Sequence, residues 1–333
     1  MISIPVLIIE QGQPVDKRVE AVETFWKGGK LLTNSNVQFG EGGAGTFSDG
    51  KLNTGIKDPR CRTVLETFYE FGANADILIK AKPHIGTDVL RNVVQNMRKE
   101  ICKLGGEYLF ETEFLRPNFE NEILHSIVCK NKGGIFELPC EHLILAIGNA
   151  SRTTYRTLWD CGMQILPKPF AIGVRIEHLQ SEIDRSQYGT VSSDILPPAE
   201  YKLATHLSNG RGVYTFCMCP GGVVVNSASE ENTYVTNGMS YQSRSGTNAN
   251  SALLVGITPE DYAEFSKNTP FGGMFLQQQI EKAAFDATNG KGLPYQTVGN
   301  FLSKTKTSII NEVKPTALPS VCEASFDDIF PNC

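Results

Sequence analysis

Apolar residues near the start of the chain form a short continuous run that is followed by helical spacing. Residues 5–9, PVLII, predict a buried strand that ends at Glu10 and Gly12, and residues 16–27 predict the next helix. A continuous apolar run that ends in a polar residue and a glycine is typical of a parallel strand at the edge of a ligand crevice. The pattern therefore predicts an α/β fold at this end.

Helical spacing and continuous runs keep alternating as far as residue 148. Helices are predicted over 62–71 and 87–104, the second of which ends at two glycines. An insertion of three antiparallel strands is predicted over about 107–138, and a further apolar run, HLILAIG, covers 142–148. This alternation again favours an α/β sheet.

The pattern changes after residue 165 to β-rich segments that Gly, Asn and Ser turns separate. One long helix, predicted over 273–288, interrupts them. We therefore expect a first domain over 1–165, a second over 166–300 and a short final segment over 301–333. The predicted strands lie within FAIGVRIEH, GVYTFCMC, GGVVVNSAS, NTYVTNGMS and SALLVGI.

A glycine-rich stretch over 33–58 is too long for a plain connection and is interpreted as a ligand loop. It contains a literal G-x-G-x-x-G at Gly40, Gly42 and Gly45, but Gly50, Asn53 and Gly55 break any helix after it. The dinucleotide fingerprint must follow a strand and open a helix, because the helix N-terminus faces the pyrophosphate. No strand-terminal acid lies about 20 residues downstream either. Glu10 is placed like the ribose-binding acid of such folds, whose fingerprint would lie about 20 residues upstream; a solvated strand end is the alternative.

Composition and charge exclude several classes of function. The 333 residues are 41% hydrophobic and 20% charged, as in a globular protein, and a net charge of −5 gives no basic surface for nucleic acid. No apolar run approaches a membrane span, and the first residues do not form a signal peptide. Nine scattered cysteines do not indicate a disulfide framework, so a reducing cytoplasm fits best.

Cys217 and Cys219 are the residues that most directly suggest redox chemistry. On a regular strand their Cα atoms would lie about 6.6 to 6.8 Å apart, near the upper limit for a disulfide. Structural packing beneath the Pro-Gly-Gly turn is therefore the alternative. No metal site is predicted, since the five histidines show no paired spacing with cysteine or carboxylate.

Several longer strings resemble a family of bacterial FAD-dependent dehydrogenase-like proteins with FAD domains of the glutathione-reductase type. The resemblance covers nearly the whole chain, although residues 148–154 read GNASRTT where the family more often has GHSARDT, so a role for the Asn149 side chain is not implied. The strings are NVQFGEGGAGTFSDGKLNT (36–54), KPHIGTDVL (82–90), KPFAIGVRIEH (168–178), GVYTFCMCPGGVVVNSASE (212–230) and VTNGMSYQSRSGTNANSALLV (235–255).

The resemblance implies an incomplete Rossmann-like FAD-binding domain, with a parallel sheet and an antiparallel insertion, and a β-rich α+β substrate domain. By the same resemblance the first strand with its glycine-rich turn and a C-terminal glycine-rich segment lie outside this sequence, which would make the chain a fragment. The implied function is an FAD-dependent oxidoreductase that transfers a hydride or electrons through the flavin. The alternative is a truncated, non-catalytic fragment that does not bind FAD.

The implied site combines cofactor-binding and substrate-binding residues. Glycines without a Cβ let backbone N–H groups approach phosphate or flavin, with a flexible surface loop as the alternative. Arg175, His178 and Arg244 are candidates for holding an anionic or carbonyl substrate, although structural ion pairs are the alternative for each. The sequence does not indicate the small-molecule substrate, any use of NAD(P)H or the oligomeric state. The cofactor-binding candidates are Glu10, Gly40, Gly42, Gly43, Gly45, Thr46, Ser48 and Gly148.

Overall fold

The computed structural model describes residues 6–189, 195–305 and 313–330. Its first part is a parallel βαβ arrangement in which strand β1 (Leu7–Ile9) pairs with β2 (Glu107–Leu109). The connection carries helices α1 (Val15–Trp26), α2 (Arg60–Glu70) and α3 (Thr87–Lys103), which confirms the three predicted helices. Helix α1 packs against α3, so the connection lies folded on itself beside the strand pair.

The antiparallel insertion follows as a separate sheet with the order β3-β4-β5. Its strands are β3 (Glu113–Glu120), β4 (Ile123–Asn131) and β5 (Gly134–Pro139). The prediction started this sheet at about residue 107, which is wrong by one strand. Residues 107–109 leave α3 and meet β1 in parallel, so they extend the first sheet and not the insertion.

The apolar run over 142–148 is not a strand in the described structure. A strand exists only where a neighbour satisfies its backbone N–H and C=O groups, and none of the described strands pairs with this run. Ile144 at its centre is 92% exposed. Helix α4 (Arg152–Asp160), which the pattern analysis did not predict, follows it.

The second part is built on a four-stranded antiparallel sheet with the order β6-β11-β8-β7. Its strands are β6 (Phe170–Leu179), β7 (Ala204–His206), β8 (Gly212–Cys219) and β11 (Asn248–Ile257). A hairpin of β9 (Val223–Asn226) and β10 (Thr236–Met239) lies between β8 and β11 in sequence. Each of the five predicted β-rich segments coincides with one strand, namely β6, β8, β9, β10 or β11, whereas β7 was not predicted.

The remaining elements surround this sheet. Helix α7 (Gly272–Asp286) confirms the predicted long helix, and strand β12 (Leu293–Tyr295) pairs in parallel with β13 (Val321–Glu323). Shorter helices are α5 (Gln180–Tyr188), α6 (Ala263–Ser266) and α8 (Val298–Ser303). No helix within the described ranges is both long and apolar enough to cross a membrane.

One hydrophobic core joins residues from both sides of position 165. Trp26 of α1 and Phe47 pack edge to face, with ring centroids 5.7 Å apart, and both belong to a buried cluster with Val225 and Met239. The indole N–H of Trp26 donates to the carbonyl of Asn226 over 2.9 Å. The glycine-rich loop is therefore seated on the hairpin of the second part.

Candidate functional site

Glu10, directly after β1, is tied to the glycine-rich loop by its own carboxylate. The Oε1 atom accepts hydrogen bonds from the N–H groups of Gly12 at 2.8 Å and Gly40 at 3.1 Å. The two glycines touch, because a Cβ on Gly12 would lie 2.6 Å from the Cα of Gly40. The predicted acid and the predicted loop therefore meet at one place.

Arg18 holds the loop from the protein side. It is fully buried on α1, and its guanidinium donates to the carbonyl oxygens of Asn36 at 2.8 Å, Val37 at 2.9 Å and Glu41 at 2.6 Å. Burial lowers the pKa of Arg18 to about 10, so the group stays charged at neutral pH. A buried cation with this many acceptors fixes the course of a loop whose glycines would otherwise leave it mobile.

The sequence analysis did not identify Arg18, although a signal was present. Val15, Val22 and Trp26 are the buried apolar residues of α1, and Arg18 shares their helical face. A charged residue on the apolar face of a helix needs buried partners, because an unpaired buried charge is costly. Glu41 is the second residue missed: burial raises the pKa of its carboxyl, which accepts from the Val15 N–H at 2.7 Å.

The glycines of the loop differ in their exposure and in what surrounds them. Gly40 is buried, whereas Gly42 and Gly45 are exposed and Gly43 is half-buried. An added Cβ at Gly43 or Gly45 would meet no atom within 4 Å, whereas at Gly42 it would lie 2.3 Å from the Thr46 hydroxyl oxygen. The outer side of the loop therefore presents open backbone at Gly43 and Gly45.

The hydroxyl groups of Thr46 and Ser48 are used inside the loop. Thr46 is fully buried, and its Oγ1 lies 3.4 Å from both the Glu41 carbonyl and the Arg18 guanidinium. The Ser48 hydroxyl donates to the Gly45 carbonyl at 2.7 Å and accepts from the Gly50 N–H at 3.0 Å. These contacts favour a role in shaping the loop over direct donation to a ligand.

A cleft of about 500 Å³ opens beside Glu10, between Gln11, Phe39 and the first turn of α4. Gly148, with a φ of +70°, lies just before that turn and accepts from the Tyr155 hydroxyl at 3.1 Å. Arg152, the first residue of α4, lines the cleft and forms ion pairs with Glu230 at 2.9 Å and with Glu281. Gln11 and Phe39, which adjoin Glu10 and Gly40 in the chain, thus line the cleft, whereas none of the predicted cofactor-binding residues does so itself.

A second polar cluster is centred on Asp49 at the far end of the loop. Its buried carboxylate pairs with Lys51 at 2.9 Å and with Arg244 at 2.5 Å, and it accepts from the Ser240 hydroxyl. Burial alone would raise the pKa of Asp49, but these two cations outweigh it and hold the pKa below its ordinary value. Arg244 is thus in a buried ion pair, as in the structural alternative stated for it.

Arg175 and His178 lie three residues apart on β6, and both have internal partners. Arg175 Nη1 donates to the Asn250 side chain at 2.5 Å and to the Cys217 carbonyl at 3.2 Å. His178 Nε2 lies 2.5 Å from the Tyr201 hydroxyl, and burial lowers its pKa. Arg175 therefore lies beside Cys217, and Lys51, which pairs with Asp49, binds the carbonyl of the next residue, Met218. His178 contacts Tyr201 instead and is not part of this group.

Cys217 and Cys219 do not lie on a regular strand. In the β8–β11 pairing Phe216 faces Ala252 and Cys219 faces Asn250, so two residues, Cys217 and Met218, oppose one. This is a β-bulge, and Cys217 has a φ of +48°. The spacing argument that weighed against a thiol pair assumed a regular strand, so that assumption is wrong here.

A larger cleft of about 590 Å³ lies at the opposite end of the four-stranded sheet. It is lined by the start of β6, the start of β8 and the end of β11. Cys217 and the residues after it occupy the other end of β8, and none of the candidate site residues lines this cleft. Among the described residues no group of three or more His, Cys, Asp or Glu side chains could hold a metal ion.

Comparison with known proteins supports the FAD-dependent class that the sequence resembles. Residues 169–333 match the model of a family described as FAD-dependent protein, C-terminal domain-like. This part of the chain is thus similar to an FAD-dependent protein, and FAD is the cofactor that the match supports.

Individual relatives extend the likeness to most of the chain. A Clostridium beijerinckii protein whose name is "Uncharacterized protein" is 48% identical over 314 residues, which are 93% of this chain and 57% of that protein. The chain thus spans little more than half the length of this relative.

Solved structures are similar only in part. Aklavinone-11 hydroxylase, in a ternary complex with FAD and aklavinone, has a TM-score of 0.35 at 13% identity, covering 82% of this chain and 49% of the hydroxylase. The probable FAD-dependent monooxygenase pqsL of Pseudomonas aeruginosa has a TM-score of 0.33 at 15% identity, covering 87% and 71%.

Proposed function

We propose that this chain is the part of an FAD-dependent oxidoreductase in which Glu10 and the loop over 40–45 hold the cofactor. The observation that carries the proposal is the meeting of the Glu10 carboxylate with an open glycine loop, next to a cleft that Gln11 and Phe39 line. The donor set fits the group: a carboxylate accepts from ribose hydroxyls, and backbone N–H groups without a Cβ suit phosphate or flavin.

Each residue of the loop has a separate part in this proposal. Glu10 uses Oε1 to fix the loop, so Oε2 is the oxygen that would accept from a ribose hydroxyl. Gly43 and Gly45 would supply the backbone surface that lies against the cofactor, since both have open space outside. Arg18 and Thr46, on the buried side of the loop, would hold it in one conformation. The first turn of α4, which begins four residues after Gly148, would form the opposite wall.

The chemistry that bound FAD supplies is transfer of a hydride or of electrons, and the protein need only orient the reactants and exclude water. The resemblance of the sequence to dehydrogenase-like proteins of the glutathione-reductase type supports a dehydrogenase over other oxidoreductases. The division into a cofactor domain over 1–165 and a substrate domain over 166–300 belongs to the same proposal. The cofactor-free fragment is the less favoured alternative, because the FAD-dependent family match supports a bound flavin.

Substitution of Gly45 by alanine tests the proposal without disturbing the protein. The new Cβ would meet no protein atom within 4 Å, so the fold should tolerate it. A cofactor lying against the loop would collide with that Cβ, and we expect FAD affinity to fall at least about tenfold, or ~1.4 kcal/mol. Titration of FAD fluorescence with the purified 333-residue chain measures this.

Gly299→Ala is the matched control, because Gly299 is equally open but belongs to α8 and not to the glycine-rich loop. Its FAD affinity should equal that of the unchanged chain. If Gly45→Ala and Gly299→Ala bind FAD with equal strength, the loop does not hold the cofactor and the proposal fails.

A further inference from the structure

The bulge in β8 places two thiols in contact at a strained backbone position. Cys217 adopts a φ of +48°, a region that residues other than glycine rarely enter. Such outliers persist where the surrounding structure forces them and are concentrated at functional sites. The Cys219 thiol donates to the Cys217 carbonyl at 3.3 Å, so the chain turns back on itself between the two residues.

The two thiols are unequal in access. Cys217 is half-buried, whereas Cys219 is completely buried. An incoming molecule can therefore reach only Cys217, and the Cys219 thiol lies behind it within hydrogen-bonding reach. This is the arrangement that a nucleophilic thiol and a resolving thiol require.

Two cations face the bulge from neighbouring elements. Lys51, at the end of the glycine-rich loop, donates to the Met218 carbonyl at 2.5 Å, and Arg175 of β6 donates to the Cys217 carbonyl at 3.2 Å. Asp49 opposes them but is itself paired with Lys51 and Arg244. Gly238 leaves space for Arg175, since a Cβ there would lie 2.2 Å from its Nη1. The thiols thus sit in a fixed, positively charged setting.

The charges and the neighbouring thiol stabilise a thiolate at the outer position. The hydrogen bond from Cys219 lowers the pKa of Cys217 to about 6, against the effect of burial and with the help of Lys51 and Arg175. The pKa of Cys219 is raised by the same contact and by burial. At neutral pH Cys217 is therefore ionised and Cys219 carries its proton.

We propose that Cys217 and Cys219 form a redox-active dithiol that reduces low-molecular-weight disulfides. The Cys217 thiolate attacks one sulfur of a disulfide R–S–S–R, which forms a mixed disulfide and releases one R–S⁻. The Cys219 thiol then loses its proton and its sulfur attacks Cys217, which releases the second R–S⁻ and forms the Cys217–Cys219 disulfide. Two electrons pass from the dithiol to the substrate, and the single proton of Cys219 passes to solution or to one of the released thiolates.

The test uses the aromatic disulfide 5,5′-dithiobis(2-nitrobenzoate) with the pre-reduced, purified chain and no added FAD. At pH 6 about half of Cys217 is thiolate, against well under 1% of an ordinary thiol, and its lower nucleophilicity leaves a net advantage of roughly tenfold. We expect a fast phase that releases two thionitrobenzoate ions per chain. Mass spectrometry should then show that the peptide containing residues 217–219 is lighter by two hydrogens than in the reduced chain and carries no adduct.

Variants separate the two roles. Cys217→Ser should abolish the fast phase, and Cys219→Ser should release one ion and retain a thionitrobenzoate adduct on Cys217. Cys61→Ser is the matched control, because Cys61 is also half-buried but has no cysteine beside it, and its fast phase should be unchanged. A wild-type chain that keeps the adduct on Cys217, or a fast phase that survives Cys217→Ser, overturns the proposal. The wild-type mass measurement holds even if a variant fails to fold.

Discussion

At the scale of single residues, the candidate site depends on a few buried charges that the loop encloses. Arg18 is the extreme case, with no exposed surface and contacts to carbonyls of Asn36, Val37 and Glu41. The glycines allow the loop backbone many conformations, and the hydrogen bonds of Arg18 to the loop carbonyls restrict it to one. The account of the loop therefore makes its strongest stability prediction at this side chain.

Replacing Arg18 by methionine keeps the apolar stem but leaves several buried carbonyls without donors. We expect a loss of about 3 to 5 kcal/mol in the free energy of unfolding, measured by urea denaturation. Arg185→Met is the control, because Arg185 is exposed and, among the described residues, forms an ion pair only with Glu182 three residues away, so its change should stay within about 0.5 kcal/mol. Equal losses in the two variants would contradict the role given to Arg18.

A second prediction at this scale concerns acid pH. Burial lowers the pKa of His178 in the folded chain, so the unfolded chain binds the proton more readily. The neutral histidine contributes stability that is fully present above the unfolded pKa, near 6.5, and is lost as the pH falls. His178→Gln cannot titrate, so its melting temperature should fall less between pH 7 and pH 5 than that of the unchanged chain. An identical fall would rule this contribution out.

The sequence predicted some of these residues and not others for physical reasons. Glu10 and the glycines at 40–45 carry a local signal, namely a strand end and a run of residues without side chains. Arg18 and Asp49 act through partners that are distant in sequence, such as Arg244, and spacing along the chain does not show such pairs. Only the unexpected place of Arg18 on an apolar helix face gave a hint.

At the scale of elements, the loop packs as a unit against α1. A Cβ at Gly40, whose φ is +116°, would lie 2.3 Å from the Arg18 Cδ. The loop therefore has a protein-facing side that tolerates no added atom and an outer side, at Gly45, that does.

Gly40→Ala should destabilise the chain by about 2 to 3 kcal/mol, since it forces both a strained backbone and an overlap. Gly45→Ala should stay within about 0.5 kcal/mol of the unchanged chain. Urea denaturation of both variants measures the difference. Equal stability of the two variants would show that the loop does not pack on Arg18 in this way.

The four longest helices, α1, α2, α3 and α7, were predicted well, because the hydrogen bonds of a helix are local. Strands depend on partners: the apolar run over 142–148 has none among the described strands and stays irregular, and residues 107–109 joined β1 because α3 delivers them beside it. The bulge at Cys217 has the same origin. It is set by the register against β11, which the sequence of β8 alone does not contain.

At the scale of the whole molecule, the two predicted domains share a core. Trp26 and Phe47 from the first part pack with Val225 and Met239 from the second. Ion pairs such as Asp49–Arg244 cross the same boundary. The two parts should therefore unfold together.

A Trp159→Phe variant leaves Trp26 as the reporter of this shared core, since the chain has two tryptophans. We expect its fluorescence and the far-ultraviolet circular dichroism to change with a single, coincident midpoint in urea. Two separated transitions would mean that the parts fold independently.

The most direct test of the central claim, that this chain holds FAD through Glu10 and its glycine loop, is the visible absorption spectrum of the purified chain with added FAD. We predict a bound flavin spectrum that survives desalting and is released on denaturation. In Glu10→Gln the remaining Oε1 still accepts from Gly12 and Gly40, but Oε2 is lost as an acceptor. The variant should bind FAD roughly 10- to 100-fold more weakly, given ~1.5–3 kcal/mol for a hydrogen bond to a charged group. A chain that stays colourless with FAD, or a Glu10→Gln variant that binds it equally well, would contradict the account.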